Sequence, residues 1–180
     1  MNSKENRRGL SGSKGEHEVQ EKFGNRKRAD AFYNNQMLDY LNPLMEKFIS
    51  QQEMVFISTS DSKGECDSSF RAGEAGFVQV LNNRKIALPE YRGNGVMASL
   101  GNILENPHIG MIFIDFFGSR IGLHVNGRAS IIENQRLLNK GNIPAQMVEE
   151  AKRREGVNLS AGLLLMWRKH IFIVRNMFLN

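Results

Sequence analysis

At 180 residues, 41% hydrophobic and 24% charged, the chain is long enough for one well-packed domain and short for two. The net charge of +5 favours anionic partners only weakly, because the excess sits in runs such as Arg26–Arg28 and Lys152–Arg154 that read as solvated faces; nucleic acid is not the expected partner. Cys66 is the single cysteine, so no intrachain disulfide can form. The polar N-terminus lacks a signal-type apolar core, and the run Leu163–Trp167 is too short to span a bilayer, so a cytoplasmic protein without membrane contact is expected.

Residues 1–20 are polar and rich in Gly and Ser, which predicts a loose N-terminal arm ahead of a single domain over 21–180. Apolar residues then recur at Phe32, Met37, Leu41, Leu44, Met45 and Phe48 with near-helical spacing. Asn42-Pro43 interrupts them, and Asn as an N-cap before Pro in the first turn predicts two consecutive helices. From Met54 the period becomes that of strands. "MVFISTS", the turn "DSKGE" and "CDSSFR" form one hairpin, and "GFVQVL", "NN" and "RKIALP" form another. A short helix is expected over roughly Val96–Glu105, ended by Asn106-Pro107. "HIGMIFIDFF" and "IGLHVNGRASII" are strand runs joined by "GSR". Helical segments are expected near Glu133–Leu138 and Ala145–Arg154, and Leu163–Val174 has the composition of a last strand. Strands in hairpins with one helix inserted point to an antiparallel barrel or α+β domain, mainly β with flanking helices.

The stretch "PEYRGNGVMASLGNILENP" admits two readings. Gly93, Gly95 and Ala98 match G-x-G-x-x-A, and Asp115 lies near the distance at which a dinucleotide fold places its acidic residue. That fold, however, needs a strand running straight into the first glycine, and "PEYR" intervenes. A phosphate cradle fits better. Glycines let the backbone approach an anion, a helix N-terminus offers free amides, Arg92 adds a cation, and Asn94 and Ser99 add neutral donors. Arg71, ending "CDSSFR", supplies a second cation. The plainer alternative is a turn in which Asn94 caps the helix.

The blocks "GECDSSFRAGEAGFVQVL", "LPEYRGNGVMASLGNILENPHIGMIFIDF" and "GLHVNGRASI" together resemble the pyridoxamine 5′-phosphate oxidase-like family of FMN-binding split-barrel proteins, over roughly Gly15 to Ile132. The resemblance implies a six-stranded antiparallel split β-barrel and a homodimer with FMN at the subunit interface. It also implies flavin-dependent oxidoreduction of an unidentified small molecule, with a nicotinamide donor or oxygen as redox partner; a non-catalytic FMN-binding or sensor protein is the alternative. By the same resemblance Arg71 is expected on the flavin phosphate with Ser69 beside it, Asn94 and Ser99 near the phosphate and ribityl chain, and Asn102 on the same helix face. Arg92 is added on chemical grounds. Relatives that carry a basic residue between "GN" and "SL" differ from this chain, which has Val96 and Met97 there. The C-terminal segment bearing Arg and Trp that binds pyridoxamine phosphate has no counterpart, which argues against vitamin B6 oxidation.

Related sequences end in something like "EEAYIHCSKHIP", whereas this chain ends "LMWRKHIFIVRNMFLN". Met166 and Trp167 have single codons, and with permitted codons for the remainder the frame one base earlier reads "VEEAYIHCSEHVP". The hypothesis is a frameshift, in the gene or in its sequencing, affecting the tail from about 163. It would replace a His-Cys pair with Trp167, Phe172 and Ile173. The four histidines, His17, His108, His124 and His170, show no metal-ligand spacing, so no metal is expected. His124 in "LHVNG" reads first as a packed or interface histidine, with a flavin-facing position as the alternative, and Cys66 reads as structural. Phe113, Phe116 and Phe117 suit a core or dimer seam.

Overall fold

The computed structural model describes residues 12–90 and 94–132, together with the backbone of a strand over 162–175. The chain divides into two compact units, Met1–Leu38 and Asp39–Asn180.

The first unit contains helices α1 (Lys14–Lys22) and α2 (Arg26–Asn35). Part of the stretch read as an arm is thus helical. A capping box starts α1: the Ser13 hydroxyl accepts from the Glu16 amide, and the Glu16 carboxylate accepts from the Ser13 amide, both at 3.1 Å. The Tyr33 hydroxyl of α2 accepts from Gln20 at 2.7 Å and donates to Glu16 at 2.9 Å, tying the two helices together.

The second unit opens with α3 (Pro43–Ser50), the second of the two helices expected around Asn42-Pro43. The Asn42 side chain accepts from the Met45 amide at 3.0 Å, and Pro43 occupies the first turn, where its missing N–H costs nothing. Its apolar face buries Met45 and Ile49.

Strands β1 (Met54–Ser60) and β2 (Cys66–Ala72) form the first hairpin. Asp61 shapes its turn by accepting from the amides of Lys63 and Glu65, both at 2.9 Å. Strands β3 (Gln79–Asn82) and β4 (Lys85–Glu90) form the second, and helix α4 (Ala98–Glu105) follows. Strands β5 (His108–Ile114) and β6 (Ile121–Ile132) form a third hairpin, and β7 (Gly162–Arg175) is the strand expected from the last apolar run. β5 was expected to reach Phe117 but stops at Ile114. The Asp115 carboxylate turns back to accept from the amides of Gly118 at 2.8 Å and Ser119 at 2.6 Å, which bends the chain out of the sheet. The helices expected near Glu133–Leu138 and Ala145–Arg154 lie outside the described residues.

All strand pairs are antiparallel, in the order β2-β1-β5-β6-β7-β4-β3. The ladder therefore holds seven strands where six were expected, and among the described residues no backbone pairing joins its two ends. It is nonetheless rolled. Five inter-strand steps separate β2 from β4, on the order of 24 Å in a flat sheet. Yet Arg71 of β2 and Glu90 of β4 form an ion pair at 2.8 Å. Inside the roll lie Val55 and Ile57 of β1, Ile86 and Leu88 of β4, Met111 and Phe113 of β5, and Leu123 and Val125 of β6, all essentially without solvent exposure. Strict alternation along β1, β5 and most of β6 sends every second side chain inward.

Candidate functional site

Strand β2 presents two chemically different faces. Cys66, Ser68 and Phe70 are exposed, while Asp67, Ser69 and Arg71, two residues apart, share the more protected face. Opposite that face stands the start of α4. The Asn94 side chain accepts from the Val96 amide at 3.0 Å, closing a tight turn of its own instead of capping the helix. Gly95 follows at φ +80°, and Met97 occupies the N-cap at φ +58° without a side-chain hydrogen bond to the helix. The first-turn amides of α4 therefore have no side-chain cap, and the positive end of its dipole points out beside β2.

These elements meet through hydroxyl groups. Ser99, 4% exposed, lies 3.2 Å from the Ser69 hydroxyl and donates to the Asp67 carboxylate at 3.2 Å. Arg71 Nη1 donates to the Ser69 hydroxyl at 2.9 Å and to the Phe70 carbonyl at 3.2 Å. Its Nε and Nη2 face Glu90: Nη2 lies 2.8 Å from Oε1, and Nε lies 3.1 Å from each carboxylate oxygen. The result is a continuous polar chain, Asp67–Ser99–Ser69–Arg71–Glu90, drawn from β2, α4 and β4. The Arg71 and Glu90 side chains are 16% and 6% exposed, so this is a largely desolvated pair.

Of the residues expected at a cofactor site, Ser69, Arg71 and Ser99 come together. Asn94 belongs to the turn preceding Ser99, exposed, with its carbonyl oxygen turned back on its own backbone. Asn102 sits one turn further along α4, where its amide donates to Thr59 at 3.1 Å. Asn106 donates to Ser60 at 2.8 Å and Glu105 accepts from the Ser62 hydroxyl at 2.8 Å, so the far half of α4 is pinned to β1 and its turn. Arg92 lies outside the described residues. Sequence reading missed Asp67 and Glu90. Both carried a signal in the two-residue period: Asp67 shares a strand face with Ser69 and Arg71, and Glu90 shares one with buried Leu88.

Two titratable groups elsewhere are shifted. Burial lowers the pKa of His124 on β6 and favours its neutral form. Hydrogen bonds from the Ser119 amide and hydroxyl, and from the Gly118 amide, hold the half-buried Asp115 at a pKa of about 2. Among the described residues no group of three or more His, Cys, Asp or Glu is placed to hold a metal. Cys66 is exposed and free.

As a binding surface, the cluster offers paired hydroxyls, an uncapped helix start and a guanidinium, the donor set that suits a phosphate group. Glu90 and Asp67 oppose it as acceptors with negative charge. The family described as pyridoxamine 5′-phosphate oxidase matches residues 41–166. Among solved structures, HupZ of Group A Streptococcus superposes with a TM-score of 0.55 at 17% identity, over 75% of this chain and 94% of its own. HutZ, described as the heme storage protein of Vibrio cholerae, gives 0.52 at 18% identity, over 74% and 94%. A candidate pyridoxamine 5′-phosphate oxidase of Lactobacillus delbrueckii gives 0.51 at 14%, over 76% and 98%. At such identities the likeness is one of fold. No curated protein matches the sequence.

Proposed function

The chain belongs to the pyridoxamine 5′-phosphate oxidase family, and from that premise we propose that it binds FMN at the Ser69–Arg71–Ser99 cluster and serves as a flavin-dependent oxidoreductase for a small molecule. The observation that carries the reading is the convergence of two strand residues with a hydroxyl at an uncapped helix start. Phosphate oxygens find donors in both hydroxyls, in the first-turn amides of α4 and in Arg71. Asn94 belongs to the turn that precedes Ser99, Asn102 holds α4 against β1, and Arg92 is assigned to the phosphate on the chemistry of its side chain alone. When bound, flavin supplies the hydride or electron transfer; the protein binds, orients and shields it.

The rolled sheet is the split barrel of this reading, its β2 edge bridged to β4 by side chains and not by a ladder. A homodimer suits the outer face of β1 and β2, with the flavin reached from the seam around the open edge of β2, whose other face carries Ser69 and Arg71. Phe56 packs against Phe70 at 6.5 Å between ring centroids and edge-on to Phe116 at 6.4 Å, and Phe70 is 59% exposed.

The experiment is titration of purified protein with FMN, followed by flavin fluorescence, then reduction by NADPH and reoxidation in air. Saturable binding with bleaching and return of the yellow colour is the expected result. Binding that no donor turns over leaves a flavin-binding or sensor protein. Failure to bind FMN, with a heme absorption band appearing on hemin addition, overturns the flavin reading in favour of the ligand named for HutZ.

A further inference from the structure

We propose that Glu90 sets the affinity of this site for a phosphate-bearing ligand by competing with that ligand for the Arg71 guanidinium. The inference rests on the flavin reading for its ligand, but its geometry stands apart from it. Glu90 is the last residue of β4, and its carboxylate is carried inward by the period that buries Leu88. It takes the Nε and Nη2 edge of Arg71, the edge with which a guanidinium grips an oxyanion in two-point fashion. The other edge, Nη1, is engaged by Ser69 and the Phe70 carbonyl. An incoming phosphate must therefore displace Glu90 or share Arg71 with it.

Sharing is costly because the pair is largely removed from water and its surroundings screen like charges only weakly. Asp67 adds a second carboxylate through Ser99, so the described part of the cluster holds Asp67 and Glu90 against Arg71 alone. Displacement is costly because a buried carboxylate would lose its counterion. Under displacement the apparent affinity is the intrinsic affinity reduced by the fraction of molecules in which Arg71 is released, and under sharing it is reduced by the repulsion between carboxylate and phosphate. A weakly held, exchangeable phosphate ligand follows, and Glu90 is a positioning residue that acts through Arg71.

The test compares wild type, Glu90→Gln and the double variant Arg71→Ala/Glu90→Gln by FMN titration and by melting with and without inorganic phosphate. Glu90→Gln keeps the side-chain shape and one acceptor while removing the charge. It should bind FMN about tenfold more tightly, and phosphate should raise its melting temperature more than that of wild type. Both gains should disappear in the double variant. Wild-type binding of FMN with Glu90→Gln unchanged or weaker overturns the proposal and leaves the flavin reading standing. No FMN binding by either protein, with phosphate still stabilising Glu90→Gln through Arg71, upholds the competition and removes the flavin. No response to either ligand overturns both. If Glu90→Gln does not fold, Glu90→Asp retains the charge and withdraws it by one methylene; it should also tighten FMN binding, and an unchanged affinity counts against the proposal.

Discussion

Arg71 joins the stability of the fold to the proposed binding site at a single side chain. Removing one member of a desolvated ion pair leaves the other buried without compensation, which costs about 3–5 kcal/mol. Arg71→Ala should therefore lower the unfolding free energy by several kcal/mol, and adding Glu90→Gln should restore a large part of it, as read by urea denaturation. Where Arg71→Ala remains folded, FMN affinity should fall by about 1.5–3 kcal/mol. Asp115 gives a pH-dependent counterpart. Its folded pKa, about 2, lies below the ordinary aspartate value of 3.8, so its contribution is complete above 3.8 and is lost as pH falls through about 2. Asp115→Ala should flatten the fall in melting temperature over that acid range and leave the neutral range shallow. The site was only partly legible at this scale. Ser69, Arg71 and Ser99 are recoverable from residue type and family resemblance, but Glu90 becomes visible only when the sheet rolls and brings β4 to β2. Asn94 and Asn102 each have a structural partner that residue type does not report: one accepts from the Val96 amide in its own turn and the other donates to Thr59.

Among the elements, hairpins and caps were the most readable, because short-range chemistry decides them. Asp61 and Gly64 make the β1–β2 turn locally, and Asn42-Pro43 starts α3 locally. Asn42→Ala should cost about 1 kcal/mol, measured by thermal or denaturant unfolding, since it orphans the Met45 amide. The start of α4 was placed two residues early. Positive φ angles at Gly95 and Met97 delay it, and no periodicity in apolar residues reports such angles. Strand order was not legible at all, because the ladder inserts β7 between β6 and β4, a pairing of residues distant in sequence. β7 also carries the frameshift hypothesis. Sequencing the gene should give the codons ATG TGG AGG AAG CAT ATA from Met166 onward, and any other choice refutes the shifted reading.

For the molecule as a whole, the proposed dimer makes a simple demand on the outer face of β1 and β2. Phe70→Asp places a charge amid Phe56 and Phe116, so sedimentation should shift from dimer to monomer with secondary structure retained. An unchanged mass would place the seam elsewhere. The described residues contain no helix long and apolar enough to cross a membrane. The position of β7 also bears on synthesis. Every other strand precedes it in the chain, yet it alone joins the ladder β2-β1-β5-β6 to the pair β4-β3. During translation the β6 and β4 edges stay open until residues 162–175 clear the ribosome, and open edges invite pairing with other chains. The nascent protein must therefore keep both half-sheets from aggregating, and the Arg71–Glu90 pair that spans them unformed, until the last described strand emerges.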